Sequence, residues 1–451
     1  MSNSQLFSGR VATNIVIANM IGTGIFTSIG FQVAPDAIPD SFTILMAWLI
    51  GGIVSLFGAT AYAEVATTYR ESGGEFTFLS KLYHPIVGLA SGWVSMVVGF
   101  SAATATLALA CGEYALPVAE ALGFPFAYKT TVNLIAILLI IMATLVQLRG
   151  VRLTSLVQNT ATTLKILLIG LLIATPLILF SLGKISVPSF YPTKESANLI
   201  FSLPFAGALV WVMFAYSGWN ASAYIVGHIR NPKKNLPKSL LGGTSVVTVL
   251  YMGLTISFLS VCSFEELRLT VDVGNLVLSK MLSNEFLILT SVAFTLALTS
   301  GINAMFIAGP TLIQKMGEKY ETLSILKTKS KNGVPKNAVL VQAFLCILFI
   351  LFSNFKDLVE YIGLTLTVFS VLTVAGVFIL RRRKKGDESM IVKTLGYPIT
   401  PLVFIGIHIW IIAYFAYYDS VKTLCVFFTL IPALGIYYLE KKKTKKSKPN
   451  E

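Results

Sequence analysis

Apolar residues fill this chain in blocks of about twenty or more, parted by short polar stretches. They do not recur with the one-sided period that marks a half-buried helix or strand of a soluble domain. A block of roughly 20 apolar residues forms a helix long enough to cross a bilayer. Twelve such runs are read, at about 11–31, 42–68, 86–116, 130–149, 154–181, 200–227, 239–262, 285–314, 338–353, 357–380, 397–418 and 421–439. Two of them, the first and the sixth, carry interruptions where an ordinary membrane helix has none. One is Gly22-Thr23-Gly24, inside the run Val11–Phe31; the other is Ser217-Gly218-Trp219-Asn220, inside the run Ile200–Gly227.

A break of this kind frees backbone N–H and C=O groups at mid-membrane depth, where only protein or a water-filled cavity can satisfy them. Glycine-interrupted helices at matching places in two halves of a chain mark the binding site of a secondary transporter. A half-helix starting at Gly24 aims its free N–H groups and positive dipole end into the break, which suits a carboxylate. The half-helices ending near Met20–Ile21 and near Phe214–Ser217 present carbonyls that suit an ammonium group. Thr23 adds a hydroxyl and Asn220 an amide that donates and accepts. Phe214, Tyr216 and Trp219 add bulk, and Ile25 follows the first break. Backbone groups could thus hold a zwitterion. The plain alternative is that the glycines only let helices pack closely, as in small-xxx-small contacts; Gly88-x-x-x-Gly92 is read that way.

Composition agrees with a polytopic membrane protein. Of 451 residues 55% are hydrophobic and 12% charged, with mean hydropathy +0.76, against about 25% charged in a soluble domain. The start of the chain lacks the pattern of a cleaved signal peptide. The net charge of +14 is a matter of topology rather than of nucleic acid. With the N-terminus inside, 27 of the 35 lysines and arginines fall in inner segments and 7 in outer ones, the bias of the positive-inside rule. Both termini are therefore expected in the cytoplasm, and the lysine tail can also touch anionic lipid. The one cation left over is Lys165, about eleven residues into the fifth run and so roughly 16 Å deep. A charge at that depth is costly and marks function by default; snorkelling to the interface is too long a reach. Glu64 and Glu113, near segment ends, are read as interfacial. His84, His228 and His408 are scattered and read as structural. The four cysteines match no metal site or disulfide framework, so neither metal nor cofactor is expected. Paired carboxylates, a His/Cys cluster or a nucleophile–base pair are not visible at membrane depth, which argues against an enzyme.

With Ile21-Gly22-Thr23-Gly24-Ile25-Phe26, Ser72-Gly73-Gly74-Glu75-Phe76, Phe214-Ala215-Tyr216-Ser217-Gly218-Trp219-Asn220, Ile229-Arg230-Asn231-Pro232-Lys233-Lys234-Asn235-Leu236-Pro237 and Lys165, the chain resembles the amino acid–polyamine–organocation (APC) transporters, in the branch of the L-type amino acid transporters and their bacterial relatives. The resemblance covers about residues 10–440. It implies an all-α fold of 12 transmembrane helices in a five-plus-five inverted repeat (LeuT-like), with helices 1 and 6 broken. One repeat would cover about 11–181 and the other about 200–380, followed by two extra helices at about 397–439 and a basic tail at 440–451. It implies alternating access, an amino acid substrate and sodium independence. In relatives the lysine matching Lys165 places its amine where sodium-coupled cousins hold sodium, which here would tie helix five to helices one and eight, near Thr299 and Ser300. As a fixed charge it fits an exchanger; if it sheds its proton during transport it fits a proton symporter. The family usually has a glutamate before the Asn-Pro after the second break, where this chain has Gly227-His228. The loop 117–129 lacks the cysteine by which animal relatives link to a glycoprotein subunit, so a stand-alone transporter of the inner or plasma membrane is expected. Neutral substrates are expected, because no acidic residue lies mid-way along runs three, six, eight or ten. A polyamine or nucleobase carrier and a nutrient sensor that binds without transporting remain as rivals.

Overall fold

The computed structural model describes residues 7–34, 38–200, 202–282, 284–330, 333–383 and 392–447. It is helical throughout, with one isolated bridge, Phe7 to Ile229. Among the described residues, ten helical spans are long and apolar enough to cross a membrane. Of the twelve runs read from the sequence, the sixth and the ninth fall short of that length. The sixth divides into Leu203–Tyr216 and Ala221–Tyr224, and the ninth is the 17-residue helix Lys336–Phe352. The first run also divides, into Gly9–Met20 and Gly24–Gln32.

The ends of the helices follow local chemistry. Ser8 caps Gly9–Met20 by accepting from the Val11 amide, Asp40 caps Ser41–Tyr69 at 2.9 Å from the Thr43 amide, and Ser202 caps Leu203–Tyr216 through Phe205. Each side chain satisfies one of the donors that a helix start leaves without a partner. The long third crossing, Pro85–Ala121, contains a π-helical stretch, Ser95–Ala102.

Large apolar side chains such as Leu138, Met142, Leu145 and Val249 point outward, as a lipid-facing surface requires. The interior is built around Trp48, Tyr62, Tyr114, Tyr216 and Tyr251, all fully buried. A buried phenol or indole needs a partner for its polar tip, and leaving one unmade costs about 1–3 kcal/mol. Each of the five has one: Trp48 donates to Gln32 Oε1 at 3.1 Å, Tyr62 to Glu75, Tyr114 to the Phe26 carbonyl at 3.0 Å, Tyr216 to the Trp48 carbonyl at 3.0 Å and Tyr251 to the Met20 carbonyl at 2.7 Å.

The connecting segments gather at two ends. At one, the Phe7 amide donates to His228 O at 2.7 Å and the Arg230 amide to Phe7 O at 2.9 Å, the Gly73 amide reaches Tyr224 O at 2.9 Å, and the Glu440 carboxylate accepts from the amides of Glu321 and Thr322. Arg230, Lys319, Lys81 and Arg383 lie at this end, which is called the basic end below. At the opposite end Ser196 bonds Asp40, the Leu269 amide donates to Gly30 O at 2.8 Å, and Lys422 sits among Asp357, Glu360 and Asp419.

Glu64, expected at an interface, is fully buried. Arg381 grips it with two hydrogen bonds of 2.8 and 2.7 Å, and the Thr394 amide and hydroxyl donate to the same carboxylate at 2.6 Å. The Arg381 guanidinium also lies over the Tyr397 ring at 3.8 Å. The sequence hides this partner because it stands 317 positions away.

Candidate functional site

The first broken helix stops at Met20 and restarts at Gly24. Ile21 leaves the helical region with ψ 83°, and the Gly22 amide turns back to Met20 O at 2.8 Å. The restarting half-helix opens on the amides of Thr23, Gly24 and Ile25, which have no backbone acceptor among the described residues. Thr23 is 1% exposed and its hydroxyl has no hydrogen-bond partner. Three convergent amides and a buried free hydroxyl are what a bound carboxylate needs.

The carbonyls of Met20 and Ile21, read from the sequence as places for a ligand's ammonium, already have partners within the protein. Met20 O accepts from Tyr251, and Ile21 O accepts from Lys165 Nζ at 2.7 Å. Lys165 is 4% exposed while its neighbours Ile166 and Leu167 are 60% and 65% exposed, so the lysine points to the interior and the leucine-rich faces point to lipid. Burying an ammonium is tolerable only with such a partner. Thr299 and Ser300 donate to the carbonyls of Leu296 and Ala297 in their own helix; among the described residues Lys165 bonds Ile21 O rather than either hydroxyl. The packing of the lysine helix, Val151–Ser181, against Leu287–Lys319 is fixed elsewhere, by Asn303 Nδ2 donating to Thr154 O and Gln158 Oε1 at 3.0 Å each.

The second break runs through Ser217–Asn220 between Leu203–Tyr216 and Ala221–Tyr224. Gly218 takes φ +94°, a left-handed backbone in which any side chain is strained, and an added Cβ would meet Asn19 at 2.7 Å. The carbonyls of Tyr216 and Ser217 accept nothing from the described residues and remain for an ammonium. Ala215 O accepts from the Tyr251 hydroxyl at 3.1 Å, so one phenol bonds the ends of both broken helices. Gly24 lies where the two cross: a Cβ there would come within 2.5 Å of Ala215 Cα. The packing use of glycine and its use at a break coincide in this residue. Gly22, by contrast, would meet only Met20 O at 3.9 Å.

Two of the side chains read as ligand contacts point elsewhere. Trp219 packs edge-on against Tyr62 at 4.8 Å and beside Gly58 and Phe404. Asn220 donates its amide to Glu75 at 3.3 Å. Phe214 is half-buried on the half-helix that ends at the second break. The sequence reading missed three residues that hold the site: Tyr251, Glu75 and Asn303. Tyr251 and Asn303 stand in apolar runs that also hold several serines and threonines, and without the charge that singles out Lys165 nothing in the sequence separates them from these. Glu75 was read only as part of a motif.

The amino acid permease family model matches residues 7–447. The serine/threonine exchanger SteT of Bacillus subtilis is 27% identical, over 96% of this chain and 96% of its own. The b(0,+)-type amino acid transporter 1 of Mus musculus is 30% identical, over 85% of this chain and 78% of its own. The large neutral amino acids transporter small subunit 2 of the same organism is 26% identical, over 96% and 81%. A match that spans both helix breaks, the buried lysine and nearly every helix between the termini is conclusive: the chain belongs to the amino acid permease family, among the APC transporters.

Proposed function

We propose that the protein is a sodium-independent exchanger of neutral amino acids that works by alternating access around the two helix breaks. The observation that carries the reading is the Lys165 ammonium on the Ile21 carbonyl at the first break. A resident cation at that carbonyl does what a bound sodium ion would do, holding the broken helix to a neighbouring one, and a permanent one needs no ion gradient. The substrate carboxylate is taken to lie on the amides of Thr23–Ile25 with the Thr23 hydroxyl, and its ammonium on the free carbonyls of Tyr216 and Ser217. The name of the Bacillus relative, a serine/threonine exchanger, supports both exchange and small neutral substrates. The remaining parts of the reading are twelve crossings in a five-plus-five inverted repeat, the basic end in the cytoplasm, and function without a disulfide-linked accessory subunit.

Proteoliposomes test it. Uptake of labelled neutral amino acids without sodium is measured with the lumen loaded with, or empty of, unlabelled amino acid, and with or without an inward proton gradient. Uptake that requires internal amino acid is the expected result. Uptake into empty vesicles driven by the proton gradient overturns exchange and makes the protein a proton symporter. Binding with no flux under any condition leaves a sensor.

A further inference from the structure

The second half of the second broken helix, Ala221–Tyr224, has four residues. So short a helix cannot hold itself, because one turn fixes more backbone freedom than its hydrogen bonds return. Its position must come from contacts outside it: it packs on Gly9–Met20 and Pro232–Val261, where Ser222 bonds Ser239, and the hydrogen bonds at its two ends converge on one turn of the chain.

That turn is 72–75. Gly73 and Gly74 take φ +126° and +56°, which brings the backbone against the helix: a Cβ on Gly74 would fall 2.3 Å from the Tyr224 ring. The Gly73 amide donates to Tyr224 O at 2.9 Å, and Ser72 Oγ accepts from the Gly227 amide at 3.2 Å. Immediately after the glycines stands Glu75, 4% exposed at the start of the helix Glu75–Leu82. Its carboxyl accepts from Asn220 Nδ2 at 3.3 Å, at the break itself, and from Tyr224 Oη at 2.7 Å, at the far end of the short helix. Tyr62, from the helix Ser41–Tyr69, donates to the same group from behind. All three donors are neutral, so the carboxyl is bound by hydrogen bonds, and both ends of the four-residue helix hang on it.

We propose that Glu75 is the positioning residue of the second break: it holds Asn220 and Tyr224 in register, keeps the site closed at the basic end, and must release them for that end to open. This rests on reading the two breaks as the substrate site, and the test separates the two ideas.

Ala223 is fully buried on the short helix. A thiol introduced by Ala223→Cys, in a background where the exposed Cys425 is replaced by Ser, reports opening through its rate of reaction with a water-soluble maleimide. Glu75→Ala is expected to raise that rate by about tenfold, the weight of one buried hydrogen bond, and to raise KM more than it lowers kcat. Glu75→Gln is expected to restore the slow rate, since its amide oxygen still accepts from Asn220 and Tyr62 and its nitrogen donates to Tyr224. Tyr224→Phe, which keeps the ring and loses one bond, is expected to give an intermediate rate and serves if Glu75→Ala does not fold. Parent-like rates in Glu75→Ala and Tyr224→Phe overturn the proposal, as does a Gln variant that opens as readily as the Ala variant. Labelling needs no substrate, so its outcome is independent of transport; protection of the introduced thiol by an amino acid tests the site itself.

Discussion

The hydroxyl of Tyr251 stands 2.7 Å from the carbonyl of Met20, where the first broken helix stops, and reaches 3.1 Å to Ala215 in the second. Two helices that cross at Gly24 are thereby joined a second time, by a side chain from a third helix, Pro232–Val261. Tyr251→Phe keeps the ring that packs against Trp48 and Tyr216 and removes only the donor. We expect amino acid affinity to fall by about tenfold, the weight of one buried hydrogen bond left unmade, measured by substrate competition in proteoliposomes. Unaltered affinity would separate this phenol from the geometry of the breaks.

Lys165→Ala removes the cation from Ile21 O. Transport is expected to be lost or uncoupled from its counter-substrate while the protein still inserts and purifies as a single species. Flux assays on that purified variant decide it; normal, normally coupled flux takes Lys165 out of the mechanism.

Glu64 and Arg381 make a pair in which removing one partner strands a buried charge. Arg381→Leu is expected to cost about 3 kcal/mol, read as a lower midpoint of thermal unfolding. The double variant with Glu64→Gln should recover much of the loss, since the stranded charge is then gone. Equal losses in single and double variants would show that the arginine acts through its packing on Tyr397 instead.

The two glycines of the first break separate packing from chemistry. Gly24→Ala forces a methyl onto backbone and is expected to destabilise by about 1–3 kcal/mol, as overpacking of a tight contact does. Gly22→Ala has room and should leave the unfolding midpoint near that of the parent. A tolerant Gly24 would mean that the crossing can widen.

Burial pushes the Glu75 carboxyl above its ordinary value, against the pull of its three donors. A raised pKa in the folded protein means that the native state holds this proton where the unfolded chain has released it. Its contribution to stability therefore falls as pH rises from the ordinary carboxylate range through the raised value. The midpoint of the parent minus that of Glu75→Gln should shrink as pH rises above the ordinary carboxylate range. A difference that does not move with pH would place the folded pKa at its unfolded value.

How much of this was legible in the sequence depended on range. The two breaks were readable because glycine inside an apolar run is a local signal, and the structure restarts the first helix at Gly24 as the free-amide argument requires. Lys165 was readable because a lone charge stands out among leucines. The roles of the carbonyls were not: that Met20 O and Ile21 O are already engaged depends on residues 231 and 144 positions away. The same distance hid the partner of Glu64, and the direction of Trp219, which faces Gly58, could not be told from its place beside the break. Patterning locates polar groups in an apolar chain; which of them satisfy one another is decided by helix crossings that no local pattern records.

Phe7 is stitched to the end of the second broken helix by two bonds, Phe7 N to His228 O and Arg230 N to Phe7 O. Both are made by main-chain groups, so they form whatever side chains stand at 7, 228 and 230, and only proline at 7 or 230 can delete a donor. Phe7 leads within two residues into Gly9–Met20, the first half of the first broken helix. The first half of the first broken helix and the end of the second are therefore tied together through the main chain, so that a displacement of either would pull on the other.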